Sequence, residues 1–146
     1  VYRLCKLGKN VPEQFASRYY DAVTVGVSFS DIETETNLRN LGLPWEISNG
    51  FDGSAVIGSF IDVKNLSKSD GFHFELFMNG KSIQKENSVS MRFSAERIIS
   101  YLSEYYTLKM GDLIYSGAPS ARVNAKVDSH LEGFLEGQKI LDFYLR

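Results

Sequence analysis

The stretch from Gly71 to Asn79 (GFHFELFMN) constrains this chain most. Phe72, Phe74, Leu76 and Met78 alternate with His73, Glu75 and Phe77, so an extended backbone here presents one continuous apolar face. Asn79-Gly80 follows at once, and that pair accepts the positive φ of a type I′ turn, which predicts a strand entering a hairpin. Ala22 to Phe29 (AVTVGVSF) is a short run of small and β-branched residues around Gly26 and reads as a buried strand. Leu113 to Ser116 and Lys139 to Tyr144 read as further strands, set apart by Gly111, Gly117, Gly133 and Gly137. Ser94 to Tyr106 begins on a residue suited to cap a helix and carries Ile98, Ile99, Tyr101, Leu102, Tyr105 and Tyr106 at helical spacing. Pro12 to Tyr20 predicts a second helix with Phe15, Ala16 and Tyr19 turned inward. The expected class is therefore α+β and β-dominated, with one or two packed helices.

At 146 residues and 43% hydrophobic content, a single domain over 1–146 is expected, long enough to bury roughly two-thirds of its unfolded surface. No internal repeat, low-complexity tract or linker divides it. A net charge of -2, from 16 basic and 18 acidic residues, gives no long-range attraction to nucleic acid or an anionic membrane, so neither is expected as a partner. Cys5 alone cannot form an internal disulfide, no apolar run approaches the ~18 residues of a membrane span, and no basic-then-apolar leader precedes Tyr2. A cytoplasmic protein is expected. Residue 1 is Val rather than Met, which suggests a processed chain or a piece of a longer one.

The polar residues taken singly are bland. His73 and His130 stand 57 positions apart in no zinc-site spacing, and each is expected at the surface or in a turn. Gly8-Lys9 lacks the upstream glycine and following hydroxyl of a phosphate loop. Asp31, Glu33 and Glu35 (DIETE) would share a face on an extended segment and could gather a hard cation; an acidic loop beside a helix N-terminus explains them equally well. Cys5 has no nearby histidine and reads as a quiet, partly buried thiol.

Ordered blocks across the chain carry a resemblance. Leu7-Gly8-Lys9-Asn10, Tyr20-Asp21-Ala22-Val23 and Val25-Gly26-Val27 come first, then Gly42-Leu43-Pro44-Trp45 and Gly50-Phe51-Asp52-Gly53-Ser54-Ala55 with Ile57-Gly58. Asn79-Gly80 with Gln84, Met91 with Phe93, and Thr107-Leu108-Lys109-Met110-Gly111-Asp112-Leu113-Ile114 follow, and Leu131-Glu132-Gly133 and Leu135-Glu136-Gly137 close the series. Taken together they resemble the C-terminal catalytic domain of the fumarylacetoacetate hydrolase superfamily. That resemblance implies a mixed β-sheet roll with packed helices, commonly a homodimer. It also implies metal-dependent hydrolysis, decarboxylation or isomerisation of 2-oxo and β-diketo acids such as acylpyruvates. In intact members Mg²⁺ or Mn²⁺, Ca²⁺ in some, is held by carboxylates and polarises the substrate's oxygens, stabilising the enolate.

The resemblance also marks departures. The family's two ligating glutamates lie in an E-x-E-L motif just upstream of the strand containing Tyr2 to Leu4, so the domain is expected to lack that ligand segment. The metal aspartate falls on Ser28, and the arginine, aspartate and glutamine of the next family motif fall on Ile32, Glu33 and Glu35. The lysine before Gly50-Phe51-Asp52 falls on Asn49, and the threonine-bearing loop reads Ser116-Gly117-Ala118-Pro119. These are vestigial pocket positions, with no confident catalytic residue and no bound cofactor expected. The favoured reading is a pseudoenzyme that pairs with itself or with an intact paralogue. An alternative is an active hydrolase or isomerase, acting on a small 2-oxo acid, in which upstream residues are present and Asp31, Glu33 or Glu35 replaces the lost aspartate. Another is a β-rich protein-interaction module using Tyr19, Tyr20, Tyr105 and Tyr106, although most of these read better as helix core. Loss of N-terminal strands is further expected to leave an unpaired edge beside Tyr2 to Leu4.

Overall fold

The computed structural model describes residues 1–66, 71–120 and 122–146. The hairpin forms as its sequence dictates. Strand β6 (His73–Met78) pairs antiparallel with β7 (Lys81–Asn87), and Asn79 and Gly80 take φ of 53° and 75°, the two positive values the turn requires. The sheet is completed by β9 (His130–Leu135) and β10 (Gln138–Tyr144) in the order β10-β9-β6-β7. A second four-stranded sheet, β5-β2-β1-β8, joins β1 (Tyr2–Leu4), β2 (Tyr20–Val23), β5 (Ile61–Asp62) and β8 (Leu113–Ile114). Strands β3 (Gly26–Ser28) and β4 (Ala55–Ile57) form a separate antiparallel pair. All these pairings are antiparallel, and the protein is β-dominated with α1 (Glu13–Ala16), α2 (Ile32–Asn40) and α3 (Ala95–Tyr105) packed around the sheets.

Several local expectations are corrected by the pairing. The run Ala22 to Phe29 is two strands, because Thr24 and Val25 leave β2 to cross toward the other sheet. The helix expected over Pro12 to Tyr20 lasts one turn, since the Tyr19 carbonyl accepts from the Cys5 amide at 2.8 Å and draws the chain into the sheet. Ala16 is fully buried as expected and Tyr19 half-buried, but Phe15 is 41% exposed. β1 has no open edge, because it lies between β2 and β8, with Tyr2 opposite both Val23 and Ile114. Tyr101, Tyr105 and Tyr106 are not helix core: each is more than half exposed.

The core is continuous between the sheets and α3, with Leu4, Val23, Ile99 and Leu135 each at 1% exposure. The Ser94 hydroxyl caps α3 by accepting from the Arg97 amide at 3.1 Å. At its other end Ser103, fully buried, accepts from the Val11 amide through Oγ at 2.7 Å and donates to the Ser100 carbonyl. That hydroxyl fixes the loop after β1 onto the helix. Ser103→Ala strips the buried Val11 N–H of its acceptor and is expected to cost about 1–3 kcal/mol in urea unfolding, with an unchanged m-value.

Candidate functional site

Where Thr24 and Val25 cross between sheets, they open a cavity of about 830 Å³. Its walls are the start of β1, β3 with the loop into α2, the apolar face of β6, and the segment from Tyr115 to Ala125 as far as it is described. The face bearing Phe74, Leu76 and Met78 turns inward, as its alternation demands. Gly26 lies where the walls come closest. A Cβ there would stand 2.6 Å from Val1 Cγ2 and 2.9 Å from Tyr115 Cε1, so this strand has no room for a side chain.

The expected pocket positions separate into two groups. Ser28, Asp31, Ile32, Gly117 and Ala118 line the cavity. Glu33, Glu35 and Asn49 do not. Asp31 caps α2: Oδ1 accepts from the Thr34 amide at 3.0 Å and Oδ2 from the Thr34 hydroxyl at 2.7 Å. The segment is thus helical from Ile32, and the three carboxylates share no extended face, which removes the geometry for a cation held by Asp31, Glu33 and Glu35 together. Glu33 points to solvent. Glu35 accepts from Arg39 Nε at 2.9 Å and faces Arg122 Nη1 at 3.6 Å, while the Arg39 guanidinium lies 3.8 Å from the Trp45 ring centroid. Trp45, Arg39, Glu35 and Arg122 therefore make one relay that anchors α2 to the loop beside the cavity. Asn49 ends a 3₁₀ turn, and its Oδ1 is buried with no donor among the described residues.

Sequence reasoning missed Arg122, Tyr115 and the cavity role of Tyr2. Arg122 lies in a loop without periodicity, and only its spatial neighbour Glu35 identifies it. Burial, and then the Glu96 carboxylate, pushes the Tyr2 phenol up to about 12, so it is neutral at physiological pH. Tyr20 donates to Glu96 Oε1 at 2.7 Å and is raised further, chiefly by burial.

A hard dication needs about six or more oxygen ligands, several of them anionic. Ser28, on the cavity wall, has a neutral hydroxyl, and both oxygens of Asp31 already accept from Thr34. Glu75 alternates with Phe74 and Leu76 along β6, and its carboxylate is tied to Ser82 at 2.6 Å and Lys85 at 3.8 Å. The described residues do not fit a Mg²⁺ or Mn²⁺ ion in this cavity. His130, Glu132 and Asp142 do gather, with ligand atoms within 4.8 Å of one another. However, His130 and Glu132 alternate with the buried Leu131 and Leu135 and so face away from the cavity. The Lys139 ammonium already sits among them, 2.6 Å from Asp142 and 3.2 Å from Glu132.

A β-roll closed around a cavity at the crossing of its sheets defines the class, and the sequence profile of the fumarylacetoacetate (FAA) hydrolase C-terminal domain matches residues 2–140. The chain belongs to the fumarylacetoacetate hydrolase family. It is 32% identical over 138 residues to an uncharacterised protein of Pyrococcus abyssi, covering 94% of this chain and 61% of that one. It is 27% identical over 143 residues to the mitochondrial oxaloacetate tautomerase FAHD1 of Mus musculus, covering 98% and 65%. Among solved structures, fumarylpyruvate hydrolase from Pseudomonas aeruginosa in complex with Mn²⁺ and pyruvate superimposes with a TM-score of 0.88 at 24% identity, over 99% of this chain and 62% of that one. The chain thus spans about three-fifths of the length of these relatives.

The Thr34 bonds hold the Asp31 carboxyl below its ordinary value of 3.8. A depressed pKa contributes stability that is present above the ordinary value and lost as pH falls through the lowered one. Asp31→Ala is accordingly expected to lower Tm at neutral pH, with the gap from the unsubstituted chain closing below about pH 4. Thermal unfolding of both proteins across that range checks it.

Proposed function

We propose that this chain is a divergent fumarylacetoacetate hydrolase family protein in which the metal-dependent chemistry of 2-oxo and β-diketo acids is lost, a pseudoenzyme. The observation that carries this reading is the commitment of Asp31 to the cap of α2 beside a neutral Ser28. A solved neighbour is described with Mn²⁺ and pyruvate, and that pairing asks for anionic ligands which the described cavity walls do not offer free. Without a Lewis acid, an enolate developing on a 2-oxo acid would also need a cation or donor array. Among the described cavity residues Arg122 is the charged cationic side chain, and its Nη1 lies 3.6 Å from Glu35 Oε2.

A homodimer, or pairing with an intact paralogue, and a cytoplasmic location belong to the same proposal. The exposed Tyr101, Tyr105 and Tyr106 support the pairing. No helix among the described residues is long and apolar enough to cross a membrane.

The expected result is that purified chain neither tautomerises oxaloacetate nor cleaves acylpyruvates, followed by enol absorbance with Mg²⁺ or Mn²⁺ present. Chelator-sensitive turnover would overturn the proposal. Adding either ion is expected to leave Tm unchanged, whereas a site filled at 100 times its Kd would add about 2.7 kcal/mol. Sedimentation as a stable monomer at micromolar concentration would remove the pairing.

A further inference from the structure

We propose that the outer face of the β9–β10 hairpin binds a borderline dication, Zn²⁺ above all, through His130, Glu132 and Asp142. The site lies apart from the cavity, and its test does not depend on whether the chemistry there is lost. Among the described residues, this is the only place where three such side chains bring one donor atom each within 4.8 Å of one another.

Strand register makes the cluster. His130 and Glu132 stand two residues apart on β9 and alternate with the buried Leu131 and Leu135, so they share the face turned away from the core. Asp142 is the direct partner of Glu132 on β10, and Tyr144 is the partner of His130. No spacing along the chain reveals such a site, because its third member comes from the other strand. The Tyr144 ring stacks on His130 with centroids 4.4 Å apart and planes within 12° of parallel, which holds the imidazole in place. His130 Nε2 lies 2.7 Å from Asp142 Oδ1, and Nδ1 lies 3.9 Å from Glu132 Oε2. An ion held at the usual zinc distances needs donors roughly 3–3.5 Å apart, a change that side-chain rotation supplies while the strands stay fixed.

A cation is already drawn to this point. The Lys139 ammonium lies 2.6 Å from Asp142 Oδ2 and 3.2 Å from Glu132 Oε1. Its bond, and then that of His130, holds the Asp142 carboxyl below its ordinary value of 3.8. Lys139 is a tethered competitor rather than a permanent occupant: its side chain is 45% exposed, and ion pairs so exposed are weak enough for the long stem to swing into water. Zn²⁺ takes imidazole nitrogen and carboxylate oxygen together, whereas Mg²⁺ is a hard ion that prefers oxygen and keeps its water.

Isothermal titration calorimetry of the tag-free chain with Zn²⁺ at neutral pH, and with Mg²⁺ in parallel, tests the assignment. Zn²⁺ is expected to bind at a single site at micromolar concentration, and Mg²⁺ to give no heat. His130→Gln is expected to weaken Zn²⁺ binding at least about tenfold. His73→Gln, on β6, is expected to leave it unchanged. Lys139→Met removes the competitor and is expected to strengthen binding about threefold. Circular dichroism confirms that the variants are folded. No Zn²⁺ binding at micromolar concentration overturns the inference, as does equal binding of Mg²⁺. Zn²⁺ binding that His130→Gln leaves intact, or that Lys139→Met fails to strengthen, overturns it as well.

Discussion

Everything in this protein depends on the crossing at Thr24 and Val25. Both residues are buried, so the backbone that leaves β2 must find partners away from water. The Val25 carbonyl accepts from Gly58 at 3.0 Å, the Thr24 hydroxyl donates to the Ser59 carbonyl at 2.9 Å, and the Ser59 amide donates to Ile140 at 2.8 Å. The β2–β3 connection, the β4–β5 connection and strand β10 are thereby sewn together at one point. A Cβ on Gly58 would collide with the Ile140 carbonyl, so the seam closes only around glycine. β3 emerges from that seam directly into the cavity wall, and for this reason the fold and the position of Ser28 are inseparable.

Periodicity revealed the elements whose faces differ in polarity. The β6 hairpin and α3 follow their apolar spacing to within a residue or two, because each buries one side against the common core. α2 was not legible in the same way, since its segment Ile32–Asn40 buries no residue and carries no apolar stripe. It is held instead by the Asp31 cap and by side-chain pairs such as Arg39 with Glu35, which are local and polar. Tyr101, Tyr105 and Tyr106 fit a helical pattern but lie on its exposed side, so spacing alone could not tell core from surface. The short extent of α1 was decided by a hydrogen bond to Cys5, just past β1, a contact that no local window contains.

The candidate site was legible in part because the family resemblance runs through contiguous blocks. Ser28, Asp31, Ile32, Gly117 and Ala118 meet in space although 90 positions separate the extremes, a juxtaposition that the resemblance supplied and composition did not. Glu33 and Glu35 fall outside the cavity on α2, and Asn49 falls outside it at the end of a 3₁₀ turn. The retained blocks have structural employment of their own: Trp45 stacks on the guanidinium of Arg39, in the last turn of α2. Retention of such residues maintains the roll and says little about chemistry, whereas the state of Ser28 and Asp31 speaks to chemistry directly.

The central claim is that this cavity holds no divalent cation. Titration of isotopically labelled protein with Mn²⁺, read as paramagnetic broadening of backbone amides, tests it most directly, because the effect falls steeply with distance from the ion. Weak broadening spread over exposed carboxylates, with Gly26 to Ser28 and Gly117 no more affected than the rest, is the expected result. Selective loss of those cavity amides at substoichiometric Mn²⁺ would contradict it.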